Sequence, residues 1–149
     1  MAAELASMTH DVLEDHRRLQ RSATALGAAV QSPAGLAARR GELAGRIVAL
    51  RHQLADHFAA EERGGLFERI QQADPEKADA CARLRKQHVA ILSGFDRALD
   101  ALPPAAASEA MLQTWAASVR TVLEEVGRHE EREAMLLYAA LEGAGGSPS

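Results

Sequence analysis

Apolar residues recur along this chain in steps of three and four, the spacing that places side chains on one face of an α-helix. Four stripes result. The first runs Leu5, Val12, His16, Leu19, Ala23, Leu26, Val30. The second runs Leu43, Ile47, Leu50, Leu54, His57, Glu61, with Leu36 as its earliest start. The third runs Cys81, Leu84, His88, Ile91, Phe95, Leu99, Leu102, and the fourth Leu112, Trp115, Val119, Val122, Val126, His129, Glu133, Leu136, Ala140. Turn-forming residues fall between them: Ser32-Pro33-Ala34-Gly35, Gly64-Gly65 and Pro103-Pro104. Asp74-Pro75 offers an N-cap followed by proline at the first helical position, and Ser108 offers a cap to the fourth helix. The pattern predicts four helices of roughly 20–30 residues, ~30–45 Å long. That is an all-α, up-down-up-down antiparallel four-helix bundle over residues 1–142. From Gly143 the chain turns to Gly, Ser and Pro, which predicts a flexible tail over 143–149.

A stripe this regular should be apolar along its whole length. Instead each helix carries one histidine on its inward face, His16, His57, His88 and His129, and two add a glutamate one turn later, Glu61 and Glu133. Residues i and i+4 share a helix face, so His-x-x-x-Glu presents an imidazole and a carboxylate together. Left unpartnered, four buried imidazoles and two buried carboxylates would cost many kcal/mol. A metal centre would supply the partners. The motif alone is weak, since chance supplies about 0.6 such pairs in a chain of this composition. His10 with Glu14 is one: the line His10, Glu14, Arg17, Arg21 is wholly charged and reads as a solvated face. His52, two residues off the Leu50–Leu54 seam, also reads as a surface residue.

Height separates the two readings. In an antiparallel bundle, residues at one height are equidistant from the turn that joins their helices. The midpoint of His16 and His57 falls between residues 36 and 37, that of His57 and His88 between 72 and 73, and that of His88 and His129 between 108 and 109. All three lie in or beside the expected turns. The four histidines therefore form one layer, with Glu61 and Glu133 one turn, roughly 6 Å, toward the same end.

Composition narrows the setting. The 149 residues are 47% hydrophobic, 26% charged and only 3% aromatic, and Ala, Leu, Arg and Glu favour helix throughout. A formal charge of −4 with no basic block argues against nucleic acid as a partner. No apolar run is long enough to span a membrane, and the N-terminus lacks the regions of a secretory signal. The single Cys81 excludes an internal disulfide and a thiolate zinc cluster within one chain, and reads as a small buried hydrophobe. A reduced, cytoplasmic domain is expected.

Imidazole with carboxylate, and no sulfur, suits iron, manganese or zinc. Six ligands are too many for one zinc, whose sites take four, but they suit two metals bridged by two carboxylates. The ferritin-like di-iron bundles use Glu-x-x-His. Here the residues three before the seam histidines are Leu13, Leu54, Arg85 and Val126, so that pattern is absent.

The order His … His-x-x-x-Glu … His … His-x-x-x-Glu resembles the hemerythrin-like (HHE cation-binding) family over about residues 10–141. The local contexts are similar too: Asp15-His16-Arg17-Arg18-Leu19, His57-Phe58-Ala59-Ala60-Glu61-Glu62, Gln87-His88 and His129-Glu130-Glu131-Arg132-Glu133. The resemblance implies a bundle holding two iron ions (Fe2+/Fe3+), with Glu61 and Glu133 as bridging carboxylates, the four histidines as terminal ligands and an oxo or hydroxo bridge. Oxygen-carrying members have a fifth histidine, from His-x-x-x-His on the third helix, and an aspartate on the fourth. Here the positions four either side of His88 are Leu84 and Leu92, and the last carboxylate is Glu133 at i+4. The chain therefore looks closer to the bacterial hemerythrin-like proteins tied to oxygen, iron, nitric oxide or peroxide. Two histidines, two bridging carboxylates and a bridging oxygen leave one open position on each octahedral iron, which favours redox turnover over O2 storage.

Three functions compete. A di-iron protein would bind or sense O2, NO or peroxide, with a separate protein partner or redox donor. An enzyme would use the same centre to reduce peroxide or NO, or release iron for repair. A helical interaction module would hold a purely structural metal, which abundant aliphatic seams hardly require. Glu62, Glu130 and Glu131 flank the six residues and read as exposed charge, with hydrogen bonds to the imidazoles as the alternative. Trp115, about 21 Å along the helix from His129, reads as a core or end-cap residue, and Tyr138 lies off the seam, with a redox role as the lesser alternative.

Overall fold

A computed structural model describes residues 2–32 and 34–145. Among them the chain forms α1 (Ala2–Gln31), α2 (Leu36–Arg63), α3 (Leu66–Ala73), a 3-10 turn (Pro75–Lys77), α4 (Ala78–Asp100) and α5 (Glu109–Gly145), and no strand. The long helices α1 and α4 each pack against both α2 and α5, closing a helical bundle. Of the expected tail, Gly143–Gly145 continue α5, and residues 146–149 lie outside the described residues, as does Pro33 of the first turn.

Local chemistry sets the helix ends. Gly35 takes φ 72 before α2, and Arg39 donates to the carbonyls of Ala29, Ser32 and Ala34 at 2.8, 2.9 and 3.0 Å, fixing this connection. After α2, the Gly64 N–H donates to the Ala60 carbonyl, and a Cβ on Gly64 would run into that same oxygen. Gly65 follows at φ 83, a left-handed conformation open to glycine at little cost. The Asp74 side chain accepts from Glu76 N–H over the 3-10 turn, and the Ser108 hydroxyl accepts from Met111 N–H at 3.2 Å to cap α5.

The main departure from the expected four helices is α3, within what reads as a connection. Its eight residues are too few to register as a stripe, yet Leu66, Phe67 and Ile70 are all buried. They anchor a core cluster with Leu5, Cys81, Leu84, Leu136, Leu137 and Ala140. A larger cluster fills the rest of the bundle, among it Leu19, Leu26, Leu54, Ile91, Phe95, Leu112, Trp115, Val119 and Val126. Each fully buried aliphatic or aromatic side chain contributes about 1.5–3 kcal/mol. Trp115 closes this cluster by donating its indole N–H to the Ala98 carbonyl at 2.8 Å. On α1, α4 and α5 the inward histidine falls between residues of the two clusters, and on α2 His57 lies at the end of the larger one, before α3 opens the smaller. The apolar interior is thus divided by one polar layer. No described helix is long and apolar enough to cross a membrane.

Candidate metal centre

Each long helix delivers its histidine to the layer through the same stripe that builds the core. His16 comes from α1, His57 and Glu61 from α2, His88 from α4, and His129 and Glu133 from α5; all six are buried, with exposures between 0% and 7%. They meet as two groups of four, His16–His57–Glu61–Glu133 and Glu61–His88–His129–Glu133, within each of which one donor atom per residue lies within 4.8 Å of the others. Both carboxylates belong to both groups. Glu133 divides its oxygens: Oε1 lies 3.1 Å from His16 Nε2, while Oε2 lies 3.2 Å from His129 Nε2 and 3.8 Å from His88 Nε2. Glu61 Oε1 lies 3.2 Å from His57 Nε2 and 3.5 Å from His88 Nε2.

The donor atoms fit a cation. All four Nε2 atoms and all four carboxylate oxygens are buried without a hydrogen-bond partner, a costly arrangement for protein alone. Burial, followed by repulsion from neighbouring histidines, lowers the pKa of His57 and His129 to about 4 and of His88 to about 3. These rings are neutral at pH 7. Two have acceptors on the other side: Asp15 Oδ2 lies 3.5 Å from His57 Nδ1, and Gln87 Oε1 lies 2.8 Å from His129 Nδ1. An acceptor at Nδ1 places the ring proton there and leaves the Nε2 lone pair facing inward. Burial also pushes the Glu133 carboxyl up, and a cation is what would restore its charge.

The surroundings differ from one side of the layer to the other. Phe58 stacks on His88 with centroids 3.9 Å apart and planes 7° from parallel, and meets His129 edge-on at 5.4 Å. Phe67 of α3 lies 5.9 Å from His88. Between α1 and α5 a cavity of about 680 Å³ reaches His16, and between α1 and α2 one of about 320 Å³ reaches His57.

The remaining polar candidates separate cleanly. His10 is exposed, as are Glu14, Arg17 and Arg21, and the His52 side chain is 79% exposed beside Asp56. Glu131 and Tyr138 are exposed. Glu62 Oε1 stands 3.8 Å from His88 Nδ1, beyond a hydrogen bond. Glu130 is only half-exposed, and burial pushes its carboxyl up against the opposing pull of His16. Cys81 is buried, as expected of a small hydrophobe. Asp15, Gln87 and Phe58 escape a search for ligands alone. The signal is numerical: adding 72 to residues 15, 16, 57 and 61 gives 87, 88, 129 and 133. The residue before the first histidine of each half therefore reaches the second histidine of that half, 42 positions on.

Fold and site together define a helical bundle with buried His/Glu groups that could hold metal ions. The pattern of the hemerythrin HHE cation binding domain matches residues 7–141, and the chain belongs to that family. No curated protein and no solved structure gives a match.

Proposed function

We propose that the chain is a non-haem di-iron protein whose centre binds, senses or reacts with O2, NO or peroxide. The observation that carries this reading is the pair of four-residue groups sharing both carboxylates. Glu133, with one oxygen toward His16 and the other toward His129, has the disposition of a bridging ligand. A single ion would leave one histidine pair unpartnered. Under this reading His16 and His57 hold one iron, His88 and His129 the other, and Glu61 and Glu133 both, with the oxygen bridge implied by the family. Asp15 and Gln87 fix the ring orientation of His57 and His129 through Nδ1. When bound, an iron pair supplies redox-active positions at which a small molecule can be held or reduced.

The up-down-up-down course of the four long helices belongs to the same proposal, supported by their ring of neighbours and by histidines that meet at one height. So does a cytoplasmic setting, supported by a single, unpaired cysteine. A cavity reaching His16 favours a reactive centre over a structural one, because structural sites are closed.

Protein from iron-replete cells, purified without chelators, should carry about two irons per chain and absorb in the near-ultraviolet. One tightly held zinc and a colourless protein would overturn the reading.

A further inference from the structure

The six-residue set repeats at an offset of 72, but the support behind its histidines does not. Adding 72 to Asp15, Phe58 and Glu62 gives Gln87, Glu130 and Ala134. In the group that holds His88 and His129, an oxygen faces Nδ1 of both rings. Gln87 Oε1 lies 2.8 Å from His129 Nδ1, and Glu62 Oε1 stands 3.8 Å from the buried His88 Nδ1. Glu62 has no other ion pair among the described residues, so a small rotation of its side chain closes that gap. In the group that holds His16 and His57, Asp15 Oδ2 lies 3.5 Å from His57 Nδ1, at the outer limit of a hydrogen bond, and its other oxygen pairs with Arg18. His16 Nδ1 has no acceptor among the described residues, and Ala134 stands where the other half has Glu62. Packing follows the same division. Phe58 stacks on His88 at 3.9 Å and meets His129 edge-on at 5.4 Å, with His57 farther off at 5.9 Å. Among the described residues His16 meets no aromatic ring but that of His57.

We propose that the two metal positions are unequal, the His88–His129 position retaining its ion and the His16–His57 position exchanging it, with Gln87 and Glu62 as the positioning residues that make the difference. This deepens the di-iron reading and rests on it. Glu61 and Glu133 belong to both groups, so they do not rank them. The histidines do. A cation on Nε2 draws electrons from the ring and makes its Nδ1–H a better donor, so an acceptor there strengthens the metal bond and fixes the ring. Losing one such partner costs about 10- to 100-fold in metal affinity. By charge Asp15 is a stronger acceptor than the Gln87 amide. Distance and Arg18 offset this: 3.5 Å against 2.8 Å, with one Asp15 oxygen already taken by the guanidinium. His16 is left as the least supported of the four. Exposure runs in the same direction, from 7% at His16 and 6% at His57 to 2% at His88 and 1% at His129. A chain built in this way takes up its first ion at His88 and His129 and gives up its first from His16 and His57.

Metal exchange tests the ranking. The full chain, loaded anaerobically with ferrous iron, is mixed with an excess of a ferrous chelator, and the iron released is followed with time. One iron per chain should leave about ten-fold faster than the other. Gln87→Leu removes the acceptor at nearly constant volume and should quicken the slow phase about ten-fold, to the rate of the fast one. Gln87→Glu keeps an acceptor there and should leave the slow phase slow. Ala134→Glu lies at a half-buried helix position on the cavity that also reaches His16, where glutamate suits the helix. It gives His16 what Glu62 gives His88, and should slow the fast phase alone. A single phase in the wild type overturns the proposal. So does iron that leaves Gln87→Leu faster than the wild-type fast phase, or an unchanged fast phase in Ala134→Glu. Failure of the di-iron reading is distinct: a wild-type chain that takes up a single ion. The histidines that hold that ion still rank the positions. Its loss in His88→Ala with retention in His16→Ala upholds the proposal, and the reverse overturns it.

Discussion

Glu133 places one oxygen near His16 and the other near His129, and Glu61 Oε1 stands within 3.5 Å of both His57 and His88. Alanine at either glutamate therefore removes a donor from both metal positions, whereas alanine at His16 or His88 removes a donor from one. Glu61→Ala and Glu133→Ala should lose most of both irons, and His16→Ala or His88→Ala should keep a weakened, partly filled centre. Metal analysis after gel filtration checks this, with the exposed His10→Ala and His52→Ala keeping full iron. Loss of iron in His10→Ala but not in His16→Ala would reverse the assignment of faces on α1. The same side chains make the metal-free chain sensitive to acid. His57, His88 and His129 are lowered from 6.5 to about 4, 3 and 4, so between pH 6.5 and those values the unfolded chain takes up protons that the fold refuses. Each such histidine removes about 1.4 kcal/mol of stability per pH unit within its window. Glu130 and Glu133, raised from 4.5, act oppositely: their contribution is full below 4.5 and declines as pH rises. Three histidines outnumber two carboxyls. The urea midpoint of the chelator-treated chain should therefore be lower at pH 5 than at pH 7, and an equal or higher midpoint at pH 5 would contradict these shifts.

At the level of elements, the glycine pair that stops α2 also positions α3. Gly65 at φ 83 turns the chain so that Leu66, Phe67 and Ile70 enter the core, with Phe67 next to His88. Gly65→Ala should cost about 1–2 kcal/mol, because a Cβ in left-handed conformation crowds the carbonyl that follows. The measurement is the urea midpoint, and an unchanged midpoint would mean the turn relaxes into another conformation. The four long helices are legible in the sequence because each repeats its apolar face for five turns or more and is bounded by Gly, Pro or a capping residue. The meeting of His16, His57, Glu61, His88, His129 and Glu133 is legible for the same reason, since a regular stripe makes a polar intruder conspicuous and the turn positions fix its height. What stays hidden depends on lateral geometry. α3 offers only Leu66, Phe67 and Ile70, too few for a period. Nothing in the stripes says which two histidines face each other, since that is set by which helices are neighbours in the ring. Asp15 and Gln87 lie one residue off the seam, where a polar side chain is ordinary until a buried Nδ1 is found opposite.

Across the whole molecule, two helix pairs contribute equivalent sets offset by 72 residues: Asp15, His16, His57 and Glu61 from α1 and α2, and Gln87, His88, His129 and Glu133 from α4 and α5. The two four-residue groups do not follow this division. Each four-residue group takes its histidines from one helix pair and one of its two carboxylates from the other, so neither pair completes a group alone. Apolar clusters on both sides of the layer hold the bundle together independently of the centre, through Leu19, Leu54, Ile91 and Val126 on one side and Leu5, Phe67, Leu84 and Leu137 on the other. Removing the histidines of one position should therefore leave a folded chain with the second position intact. In His16→Ala/His57→Ala, the groups Glu61, His88, His129 and Glu133 remain, four donors in reach of one ion. This double variant should bind about one metal per chain, and Glu61→Ala added to it should abolish most of that binding, although Glu61 belongs to the helix pair whose histidines are already gone. The check is metal content by mass spectrometry under native conditions, with circular dichroism to show that the helices persist. If the double variant lost both metals while remaining helical, the two positions would form only together, and the shared carboxylates would need both ions before they hold either.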